Sequence, residues 1–230
     1  MRVLYCSDAL NVHDRVVLEG FAAAGHEVAV ATFFHRAPQL PDFVRPFRVF
    51  HENYDTFPDG ARPSSNRWVR ALHYRLEERQ AIRRMKEWLA SWNPDVVFAA
   101  WTITSGYVAA RAGARPLALY PWGSDVLYFP PLHGWCRKRS VAALRAADLW
   151  VCNAHHTADA AKALAGGAPR VEILPIEVDA GVFAPERADR STFERLWPGR
   201  KVVMTSRPLK DLYDHATILR AMEKVDAALF

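Results

Sequence analysis

The sequence predicts an α/β protein built on a doubly wound parallel β-sheet with helices on both faces. Short apolar runs alternate with segments whose apolar residues recur at helical spacing, the pattern expected when helices connect parallel strands. The predicted strands are almost continuously apolar, which is typical of strands buried on both faces. Several predicted helices end at a glycine, as at Gly25, Gly113 and Gly166.

The predicted elements follow one another closely over the first 174 residues. Apolar runs predict strands at Val3–Cys6, Val28–Phe34, Arg48–Phe50, Val96–Ala100, Pro116–Tyr120, Leu149–Cys152 and Val171–Leu174. Helical spacing predicts helices at Val12–Ala24, Arg67–Trp92, Thr104–Ala112, Cys136–Ala147 and Thr157–Leu164. Pro121–Gly134 is predicted to be a loop because prolines and a glycine interrupt it.

The character of the chain changes after residue 174. Residues 175–200 are charged and proline-bearing, which predicts a linker with one helical turn around Thr192–Leu196. A strand at Lys201–Thr205, a helix at Asp214–Val225 and an apolar run to Phe230 then form about one βαβ unit. Such a unit cannot bury its own sheet. We therefore expect a first domain at 1–174, a linker at 175–200, and an incomplete second domain at 201–230 in a chain that is part of a longer protein.

Composition limits the class of protein. The 230 residues are 50% hydrophobic and 24% charged, which is typical of a globular protein. The longest uncharged run, Val96–Ala110, is shorter than the roughly 20 apolar residues of a membrane-spanning helix. The N-terminus lacks the apolar stretch of a signal peptide, so a cytoplasmic location is expected. The three cysteines are widely spaced, which indicates reduced thiols; Cys6 and Cys152 are predicted core residues.

The net charge of +5 comes from one segment. Residues 61–90 carry eight basic and three acidic side chains, and the rest of the chain is neutral. One interpretation is a basic amphipathic helix at 67–92 that lies on anionic lipid at the inner face of a membrane. The other is an ordinary sheet-covering helix with a solvated basic face. Nucleic-acid binding is not expected, because no recognised binding module accompanies the charge.

Ligands of parallel α/β sheets bind at the carboxyl ends of the strands, so the loops after strands are the candidate sites. Asp8 and His13 follow the first strand. They are candidate substrate-binding residues, although Asp8 can end the strand and His13 can cap the next helix. The loop lacks the G-x-G-x-x-G pattern of dinucleotide sites.

A second candidate loop comprises Trp122, Gly123, Ser124 and Asp125. The glycine permits a tight turn that brings backbone amides near a ligand, and the indole offers a flat face for a sugar or a base. The alternative is a turn in which Asp125 caps the next segment.

A third loop carries Arg207 and Lys210 directly after the first strand of the second domain, where a cation suits a diphosphate. A solvated arginine is the alternative. The adjacent His155 and His156 make a poor metal pair, because neighbouring residues do not share a helix face. No catalytic residue is assigned, and no metal site is expected.

Five segments, in order and at the right spacing, resemble the retaining GT-B-fold glycosyltransferases of family four. These are Gly25–Val28 ("G-H-E-V"), Trp122–Asp125 ("H-G-S-D"), Ala147-Asp148 ("A-D"), Ile173–Asp179 with Phe183 and Pro185 ("I-P-N-G-V-D…F-x-P"), and Ser206-Arg207 ("G-R"). The resemblance covers nearly the whole chain. It implies Rossmann-like domains, an acceptor-binding N-terminal domain and a nucleotide-sugar-binding C-terminal domain.

The resemblance further implies transfer of a sugar, with retention of configuration, to a hydroxyl acceptor that we expect to be a lipid-linked or cell-envelope glycan. The nucleotide sugar is a substrate, and no cofactor or metal is expected, because cations such as Arg207 and helix N-termini balance the diphosphate charge. A non-catalytic acceptor- or partner-binding module and a GT-B-fold sugar-nucleotide epimerase are the alternatives.

The chain departs from the family pattern at several positions. Trp122 replaces a histidine that contacts the donor sugar, Ile176-Glu177 replaces Asn-Gly, and Leu212 stands where a lysine is expected. The acidic motif that holds the ribose and the donor sugar would lie beyond Phe230.

Overall fold

The computed structural model describes residues 1–7, 12–33, 48–51, 67–175, 178, 180–181, 183–207, 209 and 213–229. The chain forms two compact units, Met1–Glu177 and Val178–Phe230. The boundary between them falls three residues after the predicted end of the first domain.

The described part of the first unit contains a seven-stranded sheet in the order β3-β2-β1-β4-β5-β6-β7, with every neighbouring pair parallel. The strands are β1 (Arg2–Cys6), β2 (Glu27–Thr32), β3 (Arg48–His51), β4 (Val96–Ala100), β5 (Leu117–Tyr120), β6 (Leu149–Cys152) and β7 (Arg170–Ile173). The helices are α1 (Val12–Ala23), α2 (Arg67–Trp92), α3 (Ser105–Ala112), α4 (Ser124–Leu127), α5 (Phe129–Leu132), α6 (Gly134–Ala146) and α7 (His155–Ala165).

Alternate residues of the strands enter two hydrophobic cores on opposite faces of this sheet. In β1, Leu4 and Cys6 belong to the larger core with Met85, Leu144 and Trp150. Tyr5 belongs to the second core, which includes Leu18 of α1. Because both faces bury apolar side chains, the predicted doubly wound parallel sheet is confirmed.

The strand order reverses between β1 and β4. The chain runs outward from β1 through β2 to β3 and then returns to the other side of β1 as β4. The loops that follow β1 and β4 therefore separate at the carboxyl edge of the sheet, and this switch point is where ligands bind in open α/β sheets.

The prediction that Pro121–Gly134 is a loop is wrong, because the structure forms α4 and α5 there. Gly123 precedes α4 with a left-handed φ of 107°, a conformation that glycine adopts without steric cost. The prolines of α5 lie in its first turn, where a missing backbone N–H has no helical partner to lose. Phe34, predicted to end the second strand, lies outside the described residues.

Helix α2 matches its predicted bounds, but its apolar residues divide into two groups. Ala81, Met85 and Trp92 are buried against the sheet. Leu72 and Leu76, nearer the N-terminus, are 58% and 51% exposed. The C-terminal half of the helix thus covers the sheet, while the N-terminal half presents leucines to solvent. No described helix is both long enough and apolar enough to cross a membrane.

The three cysteines are unpaired and buried, so the prediction that Cys6 and Cys152 are core residues is confirmed. Burial raises the pKa of the Cys6 thiol far above its ordinary value and raises that of Cys152 to about 11. Both thiols therefore stay protonated and unreactive at neutral pH in the folded chain.

The second unit has its own small parallel sheet. It contains a 3₁₀ turn at Pro185–Arg187, α8 (Ser191–Leu196), β8 (Val202–Val203), α9 (His215–Met222) and β9 (Ala228–Leu229). Strand β8 pairs with β9, as the βαβ prediction implies, although β8 is shorter than the predicted Lys201–Thr205. Asp214 caps α9 by accepting hydrogen bonds from the backbone and the hydroxyl of Thr217. The division into linker and incomplete domain stays a prediction.

Candidate functional site

Three loops of the first unit begin at the carboxyl edge of the central strands. They follow β1, β4 and β5, which are neighbours in the sheet. His13 lies in the first turn of α1, Trp101 directly follows β4, and Trp122 comes two residues after β5. The switch point of the sheet thus lies between His13 and Trp101.

Four aromatic side chains pack together at this edge of the sheet, and we call them the aromatic cluster: His13, Trp101, Trp122 and Phe129. The ring of Trp122 lies 5.9 Å from His13 and 5.8 Å from Trp101, edge to face in both cases. Trp101 makes the same kind of contact with Phe129 at 5.9 Å. All four residues are only half-buried, so the cluster keeps aromatic surface open to solvent.

Trp101 has a backbone conformation that is rare for a bulky residue. Its φ is 70°, in the left-handed region, where side chains other than glycine cost about 1–3 kcal/mol. Two backbone hydrogen bonds hold the turn: Trp101 N–H donates to the Tyr120 carbonyl at 3.2 Å, and Gly106 N–H donates to the Trp101 carbonyl at 3.0 Å. Strain of this kind persists where the surrounding contacts fix it, and it is concentrated at functional sites.

Asp125 joins the two loops that carry the tryptophans. It is fully buried, and its Oδ1 accepts hydrogen bonds from the backbone N–H groups of Trp122 and Gly123, both at 3.0 Å. Its Oδ2 accepts from the backbone N–H of Thr102 at 2.7 Å. One carboxylate therefore fixes the backbone on both sides of the aromatic cluster, and we call this arrangement the Asp125 clamp.

The hydroxyls of Thr102 and Ser140 also belong to the clamp. The Ser140 hydroxyl donates to the backbone carbonyl of Asp125 at 3.0 Å, and the Thr102 hydroxyl donates to the Ser140 oxygen at 2.9 Å. Burial raises the pKa of Asp125, and the hydrogen bonds donated by Thr102 and Trp122 partly oppose that rise. These contacts support the interpretation in which Asp125 holds the turn, and substrate binding by its carboxylate stays a prediction.

The indole N–H of Trp122 is buried and has no hydrogen-bond acceptor among the described residues. Leaving a buried donor unpaired costs about 1–3 kcal/mol, so the orientation of this ring is maintained against a penalty. The unpaired indole N–H belongs to Trp122 and the strained backbone belongs to Trp101. The rings of these two residues pack edge to face.

Gly106 lets helix α3 approach this edge of the sheet. A Cβ at this position would stand 2.8 Å from Leu119 Cδ2 and 3.2 Å from the Trp101 carbonyl oxygen. A side chain at position 106 would therefore force Leu119 to move and crowd the Trp101 carbonyl.

The other predicted site residues are distributed as follows. His13, Trp122, Gly123, Ser124 and Asp125 lie together at the carboxyl edge of the first unit, with Ser124 beginning α4. Arg207 belongs to the second unit, is exposed, and holds its guanidinium 5.4 Å from the centre of the Tyr213 ring. Asp8 and Lys210 lie outside the described residues.

His155 and His156 begin α7 and are exposed. Within the described ranges, no group of three or more His, Cys, Asp or Glu residues lies close enough to hold a metal ion.

Sequence reasoning missed Trp101, Thr102, Phe129 and Ser140. Trp101 carried a usable signal, since it directly follows a predicted strand in the same way as the other candidate loops. Thr102 and Ser140 carried none, because their partner Asp125 is 23 and 15 residues away along the chain.

Solved structures with the same architecture include a protein from Anabaena, Alr3699/HepE, crystallised with UDP and glucose. It is 16% identical, with a TM-score of 0.67 over 100% of this chain and 59% of that one. A putative UDP-N-acetylglucosamine 2-epimerase from Listeria monocytogenes is 14% identical, with a TM-score of 0.61 over 99% and 61%. A glycosyltransferase from Rickettsia africae is 12% identical, with a TM-score of 0.59 over 97% and 57%.

The chain thus spans about three fifths of the length of these structures. They confirm the predicted GT-B-like, Rossmann-like fold. No curated protein matches the sequence. Residues 11–182, which include the aromatic cluster and the Asp125 clamp, match the family model named Glycosyltransferase Family 4, and the chain belongs to that family.

Proposed function

We propose that the protein to which this chain belongs transfers a sugar from a nucleotide-sugar donor to a hydroxyl group of an acceptor, with retention of configuration. The observation that carries the proposal is the position of the aromatic cluster. It lies at the switch point of the sheet and within the residues that match Glycosyltransferase Family 4. The UDP and glucose named for the Anabaena structure support a nucleotide-sugar donor.

On the donor side, we propose that Arg207 and Lys210 balance the charge of the diphosphate, which makes a metal ion unnecessary. The Arg207 guanidinium is exposed and lies against an aromatic ring, so it is available to an anion. In the complete protein, Arg207→Ala should weaken binding of UDP about tenfold by calorimetry. Arg190→Ala, at an exposed arginine of the same unit, is the control. Unchanged affinity in Arg207→Ala would remove this residue from the donor site.

On the acceptor side, we propose a lipid-linked or cell-envelope glycan and a peripheral contact with the inner face of a membrane. Val69, Leu72 and Leu76 are exposed at helical spacing on α2. Exposed arginines at 75, 79 and 83 flank them, which gives this surface both apolar side chains and a charge complementary to anionic lipid. A positively charged surface on α2 would hold the enzyme near an acceptor that stays at the membrane, as in polysaccharide synthesis.

The proposed function is tested with the longest reading frame that contains this chain. The purified protein is incubated with radiolabelled nucleotide sugars and a lipid extract of the source cells, and label in the lipid fraction is counted. We expect incorporation from one donor, and NMR of the product should show the donor's anomeric configuration. Inverted configuration, or no incorporation from any donor, would contradict the proposal.

A sugar-nucleotide epimerase is the second candidate, favoured by the similarity to the Listeria structure. Incubation with UDP-N-acetylglucosamine alone separates the two, because an epimerase changes the sugar without any acceptor. A non-catalytic module would bind acceptor or partner and turn over neither substrate.

A further inference from the structure

The charge of the chain outside residues 61–90 is balanced in sum but not in position. Between Asp125 and Asp148 the sequence contains no acidic residue and four basic ones, which are Arg137, Lys138, Arg139 and Arg145. Arg137 and Lys138 are exposed on α6. Helices α5 and α6 therefore form a second basic segment of the chain, in addition to α2.

Apolar side chains are exposed in the same segment, where α5 is followed by α6. Leu132 and Trp135 are 58% and 57% exposed, and Leu127 and Tyr128 are exposed as well. His133 joins the two helices with an extended backbone. We call Leu127, Tyr128, Leu132 and Trp135 the α5–α6 corner. Exposed leucine, tyrosine and tryptophan beside cations, in a segment without acids, are typical of a surface that enters a membrane interface.

The ring of Trp135 is held in its exposed position by contacts within the first unit. The Arg139 guanidinium, one turn along α6, lies 5.1 Å from the centre of the Trp135 ring and 4.9 Å from that of the Tyr107 ring. Arg139 also forms an ion pair with Glu78 of α2, and the Tyr107 hydroxyl donates to the same carboxylate at 3.1 Å. Because helices α2, α3 and α6 all support this indole, little further ordering is needed when it binds a surface.

The same ion pair relates the corner to α2. Helices α2 and α6 each lead into a strand of the parallel sheet, and both pack on the larger core, through Met85 and Leu144. Their N-terminal ends therefore lie at the carboxyl edge of the sheet, on the same face. The exposed leucines of α2 precede Glu78 and the corner precedes Arg139, so both lie beyond the ion pair toward that edge.

We propose that the α5–α6 corner docks on an anionic membrane, with Leu132 and Trp135 among the upper acyl chains and Arg137 and Lys138 at the headgroups. Apolar side chains and cations then each meet the layer of the bilayer that favours them. This inference deepens the proposed function, since it adds a second membrane contact to that of α2. The ring of Tyr128 lies 5.2 Å from that of Phe129 in the aromatic cluster, so docking places the candidate site beside the lipid surface.

A fluorescent label at position 132 tests the docking directly. The three natural cysteines are buried, so Leu132→Cys in the 230-residue chain offers an exposed thiol for an environment-sensitive dye. We expect the dye to brighten on vesicles of phosphatidylglycerol and phosphatidylcholine, and to be quenched by lipids that carry a nitroxide high on the acyl chain. Leu219→Cys is the matched control, because Leu219 of α9 is 59% exposed, and its dye should show neither response.

Two further variants separate the apolar and the charged parts of this surface in a vesicle sedimentation assay. Trp135→Ala should weaken binding about tenfold, because an exposed indole no longer enters the interface. The double variant Arg137→Glu, Lys138→Glu should weaken binding about thirtyfold at low salt. Arg195→Glu, Lys201→Glu is the control with the same change in net charge at exposed residues of the second unit, and it should retain most of the binding. Circular dichroism verifies that each variant is folded.

Four outcomes would overturn the docking of the corner. They are an unquenched dye at position 132, an equal loss of binding in the Arg195 and Lys201 control, and full binding by both corner variants when Leu72→Ser, Leu76→Ser has lost it. The fourth is a lipid-free dimer that Trp135→Ala dissociates in analytical ultracentrifugation, which would assign the corner to a second copy of the chain.

Vesicle binding requires neither donor nor acceptor, so this inference and the proposed function fail separately. Sugar transfer by the complete protein without docking of the corner would refute this inference alone. Docking of the corner without transfer would refute only the proposed function.

Discussion

Asp125 is the residue on which the candidate site depends most directly. Asp125→Asn keeps the shape of the side chain but replaces one acceptor oxygen with an NH₂ group, which then faces a backbone N–H of Thr102 or of Trp122 and Gly123. We expect the free energy of unfolding to fall by about 1–3 kcal/mol, because a buried donor loses its partner. Urea denaturation followed by circular dichroism measures this change.

The same variant has a predictable pH dependence. Burial raises the pKa of Asp125 above its unfolded value, so the folded chain binds this proton more tightly than the unfolded chain does. The stability that this group contributes is then greatest below the unfolded pKa and declines as the pH rises through the folded one. The difference in unfolding free energy between the wild type and Asp125→Asn should therefore shrink as the pH rises above the ordinary pKa of an aspartate. A difference that grows with pH would show that the hydrogen bonds outweigh burial.

At the scale of elements, the contact between α3 and β5 controls the Trp101 turn. Gly106→Ala places a methyl group within 2.8 Å of Leu119 and 3.2 Å of the Trp101 carbonyl oxygen. We expect a loss of about 1–3 kcal/mol from overpacking, measured by thermal unfolding. Gly20→Ala in the exposed part of α1 has no atom within 4 Å of the new methyl and should instead stabilise the chain by about 0.5–1 kcal/mol. Equal effects of the two substitutions would argue against close packing at Gly106.

The N-terminal half of α2 offers a second prediction at this scale. The double variant Leu72→Ser, Leu76→Ser should bind phosphatidylglycerol vesicles about tenfold less tightly in a sedimentation assay, because two exposed leucines no longer enter the bilayer. Leu219→Ser, at a similarly exposed leucine of α9, should have no effect. Equal binding of the wild type to neutral and anionic vesicles would leave no role for the arginines of α2.

The elements differ in how well the sequence predicts them, and the reason is the range of the interactions involved. Apolar runs and helical periodicity are local, so the seven described strands of the first unit and the bounds of α2 follow from them. Helices α4 and α5 depend on a left-handed glycine and on prolines confined to a first turn, which resemble loop signals in the sequence. The Asp125 clamp brings together residues up to 38 positions apart, which no local pattern contains.

At the scale of the whole molecule, the chain spans about three fifths of the solved structures that share its fold. We expect the 230-residue chain by itself to transfer no detectable sugar from any nucleotide donor, because it spans only about three fifths of the structures that share its fold. A radiolabel assay with UDP-, GDP- and ADP-sugars measures this, with the complete protein as the positive control. Robust turnover by the 230-residue chain would contradict the predicted division into domains.

The Asp125 clamp has a consequence for how this site can change. Its carboxylate accepts hydrogen bonds from the main-chain N–H groups of Thr102, Trp122 and Gly123. None of these three hydrogen bonds involves an aromatic side chain. The identity of the residues at positions 101 and 122 is therefore separable from the architecture that displays them. A library randomised at these two positions should therefore yield many folded proteins.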